Sequence, residues 1–224
     1  MSLALLVCSA MPTFAQGTEN PVGRFSITPR LGVVLSNRTG AVNTNGDKPK
    51  WHTGYLGGLD VEYRATELVG VSLGAYYAQQ GMRYPDCEYL EDAVTRKYKG
   101  YKNQHMDFNY IHVPLMARIY VAPKFAVMAG VQVGFACGDG KLTYDQTSIT
   151  KETNGSATYG ETTNQEVSYS SKTDVAIPVG FTYEYMNVVL DARYNIGLSK
   201  VGEDGWDGSK NKALTVSVGY RFTL

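Results

Sequence analysis

The chain has 224 residues, enough for one domain with a sizeable core, and its 21 basic residues balance 21 acidic ones, so no charge excess points to a nucleic-acid partner. No apolar run approaches the ~20 residues of a transmembrane helix, which leaves strands as the only means of crossing a bilayer. Seventeen tyrosines against seven phenylalanines suit positions with one apolar end and one wet end, membrane interfaces among them.

Residues 1–15 read as an export leader. Leu3 to Val7 form a short apolar core, and Thr13-Phe14-Ala15 is a small-x-small cleavage site before Gln16. The basic residues that usually open such a leader are missing, and a buried helix is the alternative reading. Cys8 does not make a lipoprotein site, because Leu6-Val7 before it lacks small residues. Residues 16–23 then form a short periplasmic segment, and residues 24–224 form the folded domain.

Eight segments of that domain alternate with period two. Residues 24–36 place Phe25, Ile27, Pro29, Leu31, Val33 and Leu35 on one face. Residues 54–65 do so with Tyr55, Leu59, Val61 and Tyr63, and residues 69–80 with Val71, Leu73, Ala75 and Tyr77. The same pattern covers residues 109–121, 125–135, 174–185, 188–197 and 213–224. Roughly 9–11 residues of tilted strand span a hydrocarbon layer, so each segment is long enough. The connections alternate strictly: 37–53 long, 66–68 short, 81–106 long, 122–124 short, 139–172 long, 186–187 short, 198–211 long. Short periplasmic turns and long extracellular loops are the order of an up-and-down outer-membrane barrel.

Charge decides which face meets lipid. The apolar faces carry no Asp, Glu, Lys or Arg, whereas the opposite faces collect Arg30, Asp60, Glu62, Arg64, Arg118, Gln132, Glu184, Asp191, Arg193 and Arg221. A charge on the lipid face at the bilayer midplane costs about 2–4 kcal/mol, so these side chains are assigned to the lumen as one charge network. Aromatic residues gather at both ends of the strands, as interfacial girdles do: Phe25, Tyr63, Phe125, Tyr183, Tyr185 and Phe222 below, Tyr55, Tyr77, Phe135 and Tyr194 above. Pro114 and Pro178 fall mid-strand on the lumen face, where each removes a ladder donor. The expectation is an all-β, eight-stranded antiparallel transmembrane barrel in the outer membrane of a Gram-negative bacterium, monomeric, in contact with outer-membrane lipid and lipopolysaccharide.

Several strands together resemble the PorT-like outer-membrane barrels of Bacteroidota. Residues 110–120, Tyr-Ile-His-Val-Pro-Leu-Met-Ala-Arg-Ile-Tyr, are similar to that family's aromatic-x-x-apolar-Pro-Leu-x-x-basic pattern. Residues 190–198, Leu-Asp-Ala-Arg-Tyr-Asn-Ile-Gly-Leu, and the closing Gly-Tyr-Arg-Phe of 219–222 resemble two further segments. The chain departs from the pattern at Ala176 and Pro178 and in the Thr-Leu tail. The resemblance implies the fold and the location, and through one member a link to protein secretion.

Chemistry is sparse. His52, His105 and His112 are the only histidines, and Ser36 and Ser72 are the strand serines near the height where an outer-leaflet lipid would react. A Ser/His/acid triad is defined by geometry, which the sequence does not fix. No metal-ligand spacing occurs, Asp139 with Asp145 being thin for calcium. The expectation is therefore no catalytic, cofactor or metal site. The barrel would serve envelope structure, adhesion or partner binding through its loops or periplasmic face, or a secretion machine; a lipid A-modifying enzyme and a small diffusion pore are the alternatives. Cleavage of the leader leaves Cys87 and Cys137, read as a disulfide at the extracellular mouth, with two free thiols as the other outcome.

Overall fold

The computed structural model describes residues 22–40, 48–152, 156–169, 173–200 and 209–224; the expected leader, residues 1–15, lies outside them. Twelve strands are formed: β1 (Phe25–Thr39), β2 (Lys50–Arg64), β3 (Val69–Arg83), β4 (Cys87–Asp92), β5 (Lys97–Ala122), β6 (Phe125–Ala136), β7 (Gly140–Lys151), β8 (Ala157–Tyr169), β9 (Asp174–Tyr185), β10 (Val188–Gly197), β11 (Lys210–Tyr220) and β12 (Phe222–Thr223). Eight of them follow one another as β3-β2-β1-β11-β10-β9-β6-β5, and β5 pairs back onto β3. All pairs are antiparallel, so the ring closes without a free edge. Short β12 carries the last turn of the wall along β1.

The period-two pattern becomes an inside and an outside. Leu31 is 70 % exposed and Leu73 53 %, while Arg30 and Asp60 in the same wall are 2 % and 1 % exposed. An outward surface this apolar is stable only in hydrocarbon. The periplasmic turns have matching chemistry. Met186 and Asn187 both have positive φ, 48° and 66°, the two-residue turn whose twist suits a hairpin. Thr66 Oγ1 accepts the N–H groups of Leu68 and Val69 and closes the first turn.

Both mid-strand prolines face a gap in one ladder. Between β3 and β5 the register passes from Leu73↔Leu115 to Tyr76↔His112, leaving Pro114 opposite Gly74 without a bonded partner there, while Pro114 stays in register with Gln132 of β6. Between β6 and β9 it passes from Ala129↔Val179 to Gln132↔Ala176, leaving Pro178 opposite Gly130, while Pro178 keeps its place beside Asn195 of β10. The lost donor thus interrupts one side of the strand only, and a glycine faces it each time. A Cβ on Gly74 would lie 2.5 Å from Asp60 Oδ1 and 3.1 Å from Pro114 Cγ, so the site has no room for a larger residue.

Two of the expected loops are corrected by the structure. Residues 81–106 contain β4 and the upper half of β5, and residues 139–172 contain the β7–β8 hairpin. β5 runs for 26 residues, about 85 Å at ~3.3 Å per residue, against the ~9–11 residues a membrane needs. Its lower half lies between β3 and β6 in the wall, and its upper half lies between β4 and β7 in a sheet β4-β5-β7-β8 above the barrel. Alternation gives no warning of this sheet because both of its faces meet water. Its content of Thr and Tyr, residues that suit a pleated surface, is the signal that was available.

Candidate functional site

The lumen is filled in layers. The periplasmic half holds a network of four arginines and four carboxylates from β1, β2, β5, β9, β10 and the β11–β12 junction. Asp60 is its hub, with Arg30 Nε at 3.0 Å, Arg118 Nη2 at 2.9 Å and Arg193 Nη2 at 3.0 Å. Asp191 takes Arg30 Nη1 and Arg193 Nε, each at 2.7 Å. Glu62 takes Arg118 Nη1 at 2.7 Å, Arg221 Nη2 at 2.9 Å and the Tyr120 hydroxyl. Arg221 Nη1 reaches Glu184 at 2.9 Å. Four charges of each sign cancel, which is what lets eight ionised groups lie together away from water.

Arg221 thus meets Glu62 and Glu184, and Asp191 meets Arg30 and Arg193. One placement departs from the expected single network. Arg64 makes no ion pair among the described residues. It sits beside the first periplasmic turn, donates Nη2 to Glu67 O at 2.6 Å and stacks its guanidinium 3.6 Å from the Tyr120 ring centre.

A polar layer follows. His112 is held between Gln80 at 2.9 Å and Gln132 at 3.0 Å and stacks on Tyr110. The cavity beside it, bounded also by Tyr76 and Asn195, has a volume of ≈ 30 Å³, above the ~10–15 Å³ that one water molecule needs. Above it Met82, Tyr84, Met106, Phe108 and Tyr110 form a buried apolar plug with Leu142 and Ala136 against its flank. Arg38 covers Phe108, 3.9 Å from its ring centre, and donates Nε to Asn211 Oδ1 at 3.0 Å. The plug was not foreseen because residues 81–106 were read as loop. The available signal was the even-numbered series Met106, Phe108, Tyr110, apolar on the face opposite Ile111 and Val113.

The candidate triad residues are brought together only in part. His52 Nε2 lies 3.0 Å from Asp107 Oδ1, reaching it across Gly81, where a Cβ would stand 3.0 Å from the His52 ring. His105 Nε2 is 3.8 Å from Asp107 Oδ2. The Ser36 hydroxyl, however, donates to Gly81 O and accepts Gly81 N–H, which ties it to the backbone of β3 instead of to His52. Among the described residues no cluster of His, Cys, Asp and Glu could hold a metal ion.

The expected disulfide is also corrected: Cys87 and Cys137 are free thiols. Cys87 pairs with Tyr101 of β5, whereas the Cys137 N–H bonds Asn109 O on the same strand. Those positions are eight residues apart on β5, on the order of 25 Å along a strand, against the ~7 Å Cα limit for a bridge. The two cysteines are therefore at different heights.

Above the membrane, Tyr89, Tyr101 and Tyr144 form a row across β4, β5 and β7, with ring centres 5.3 and 5.5 Å apart. On β7, Asp145 accepts Asn103 Nδ2 at 2.7 Å and Asn164 Nδ2 at 2.9 Å, and these two amides hold its carboxyl below the usual carboxylate range. β8 is bonded on one side only, to β7, and its described side chains are exposed.

Among solved structures the chain is similar to the attachment invasion locus protein Ail of Yersinia pestis, at 19 % identity, a TM-score of 0.48 and coverage of 90 % of this chain and 100 % of that one. It is similar to Neisserial surface protein A at 13 % identity and a TM-score of 0.42, covering 89 % and 97 %. It is also similar to the outer membrane protease OmpT of Escherichia coli at 9 % identity and a TM-score of 0.44, covering 90 % and 97 %. No curated protein matches the chain. The family model described as outer membrane protein beta-barrel domain matches residues 14–203, and on that match the chain belongs to this family, as an integral barrel of the Gram-negative outer membrane.

Proposed function

We propose that this protein is a non-catalytic, non-conducting barrel that binds a partner at the cell surface through the β4-β5-β7-β8 sheet. The observation that carries the reading is the continuity of β5, which makes the sheet an extension of the barrel wall and holds it at a set orientation above the membrane. The tyrosine row across three strands supplies rigid, amphipathic contact area of the kind that dominates binding surfaces. The two filled layers of the lumen favour a scaffold over a diffusion pore, and the backbone bonds of Ser36 speak against a lipid A-modifying triad. Kinship with the PorT-like barrels belongs to the same reading. The quoted segments 190–198 and 219–222 lie on adjoining strands, 110–120 lies on β5 beyond β9 and β6, and together they supply Arg118, Asp191, Arg193 and Arg221 to the ion network.

A photo-crosslinking residue at Tyr101 and another at Lys124, each placed in the native envelope, test it. The expected result is a discrete crosslinked species from Tyr101 and none from Lys124. Crosslinks from the periplasmic Lys124 alone would replace surface binding with assembly on the periplasmic side, as a secretion component requires.

A further inference from the structure

The two faces of the β4-β5-β7-β8 sheet are unlike. One carries the sheet's own apolar contacts. Leu90 lies opposite Tyr98, Tyr98 opposite Ile149 and Ile149 opposite Tyr159, a line across all four strands in which Ile149 is 3 % exposed. The other carries the tyrosine row. Tyr89 lies opposite Lys99, Tyr101 follows Lys99 by two residues and lies opposite Gln146, and Tyr144 precedes Gln146 by two, so the three rings share this face. Two residues below Tyr144, Leu142 pairs with Met106 and packs against the apolar plug. The row therefore stands above the filled mouth, on the side that continues the lumen. All three tyrosines are half-buried.

The surroundings of the row define its chemistry. Gln146 and Gln165 stand opposite Tyr101 and Tyr144, and Thr163 stands opposite Gln146, its hydroxyl accepting Gln165 Nε2 at 3.2 Å. Amides and hydroxyls both donate and accept, which suits a ligand rich in hydroxyl groups. Lys99, the cation beside Tyr89 and Tyr101, is neutralised by Glu91 at 2.7 Å, so it does not call for an anion. Ring centres 5.3 and 5.5 Å apart are close to the separation of successive pyranose rings across a glycosidic bond. The ring planes turn by 81° and 55° along the row, which makes a corrugated strip that follows a chain whose sugars turn from one unit to the next. A protein partner would call for an apolar centre, and the apolar line of this sheet is on its other face.

We infer that Tyr89, Tyr101 and Tyr144, flanked by Gln146, Thr163 and Gln165, form a binding site for an uncharged glycan, one sugar to each ring, an inference that rests on the surface-binding reading above. The C–H groups of each sugar meet the negative faces of the rings, and the amides take its hydroxyls.

The purified full chain, in a detergent without a sugar head group, is applied to an array of immobilised single sugars and short glycans, neutral and sulfated. Retention is expected on neutral chains of three or more sugars and not on single sugars. Calorimetry with the best-retained neutral chain should show Tyr89→Ala/Tyr101→Ala/Tyr144→Ala weaker by at least about tenfold, the loss expected when anchoring rings are removed. Tyr89→Phe/Tyr101→Phe/Tyr144→Phe, which keeps the rings, should retain most of the affinity. Gln146→Ala/Gln165→Ala should weaken binding with the rings in place, and Tyr159→Ala, on the opposite face, should bind as the wild type does. Heat-modifiable gel migration, unchanged in every variant, reports the barrel. No retention on any neutral chain, retention that needs sulfate groups, undiminished affinity in the alanine variant, or equal loss in Tyr159→Ala would overturn the site. A protein crosslinked at Tyr101 in the envelope, with every glycan ignored, would overturn the glycan site and leave surface binding standing; neither crosslink nor glycan would overturn both.

Discussion

Asp60 carries more of the lumen than any other side chain. Three guanidinium groups meet on it, so its removal leaves Arg30, Arg118 and Arg193 with only Asp191 and Glu62 to share and one buried positive charge in excess. Breaking a buried ion pair by taking one partner costs ~3–5 kcal/mol. Asp60→Ala is therefore expected to lower the temperature at which the folded band disappears on a gel, well beyond any change from Glu88→Ala, whose pair with Lys151 is in water. Equal midpoints for the two variants would mean that the network contributes nothing to stability. Gly74 is the second critical residue. Gly74→Ala pushes a methyl against Asp60, Tyr76 and Pro114, an overpacking expected to cost about 1–3 kcal/mol in the same assay. The charged residues were legible from parity alone, because a period of two sends every second side chain inward. Their partners were not. Arg221 joins Glu62 over the intervening strand β1, a contact between residues that share no ladder.

At the level of elements, the wall and the surface sheet are separable. The ring closes through β6–β9 and β3–β5 contacts that do not involve β7 or β8. Replacing residues 141–168 by a short glycine linker should leave heat-modifiable migration intact, with a midpoint close to that of the full chain. Failure of the shortened chain to fold would show that the hairpin helps to form the barrel. The thiols belong to this scale too, since their separation follows from the reach of β5. Mass spectrometry of the non-reduced mature protein is expected to find Cys87 and Cys137 both free, and a linked peptide would contradict the register of β4 on β5.

For the whole molecule the prediction is an oriented, sealed barrel. Val94, 92 % exposed in the extracellular β4–β5 turn, should be labelled as Val94→Cys in intact cells, while Lys124→Cys should react only after the envelope is permeabilised. The reverse result would invert the topology. Reconstituted protein should show no steady conductance in a planar bilayer. Met82→Ala/Phe108→Ala, which opens the apolar plug, should still show none, because the ion layer below remains. Stable channels from the wild-type chain would break the sealed-lumen reading.

Local chemistry, repeated along the chain, is what the residues determine unaided. Alternating side chains make a strand with two unlike faces, eight such strands with short and long connections leave little but an up-and-down barrel, and charge assigns lumen and lipid. Membrane location follows from the same alternation, since no aqueous face accommodates Leu31, Leu73 and their neighbours. Tertiary structure decides whatever depends on which distant residues meet. It sets Asp60 as the hub, seals the mouth with Met82, Met106 and Phe108, parts the two cysteines, and pairs the prolines with glycines across a ladder gap. It also raises residues 81–106 and 139–172 into a sheet that no burial pattern marks, because a strand wet on both faces has no hydrophobic period to read.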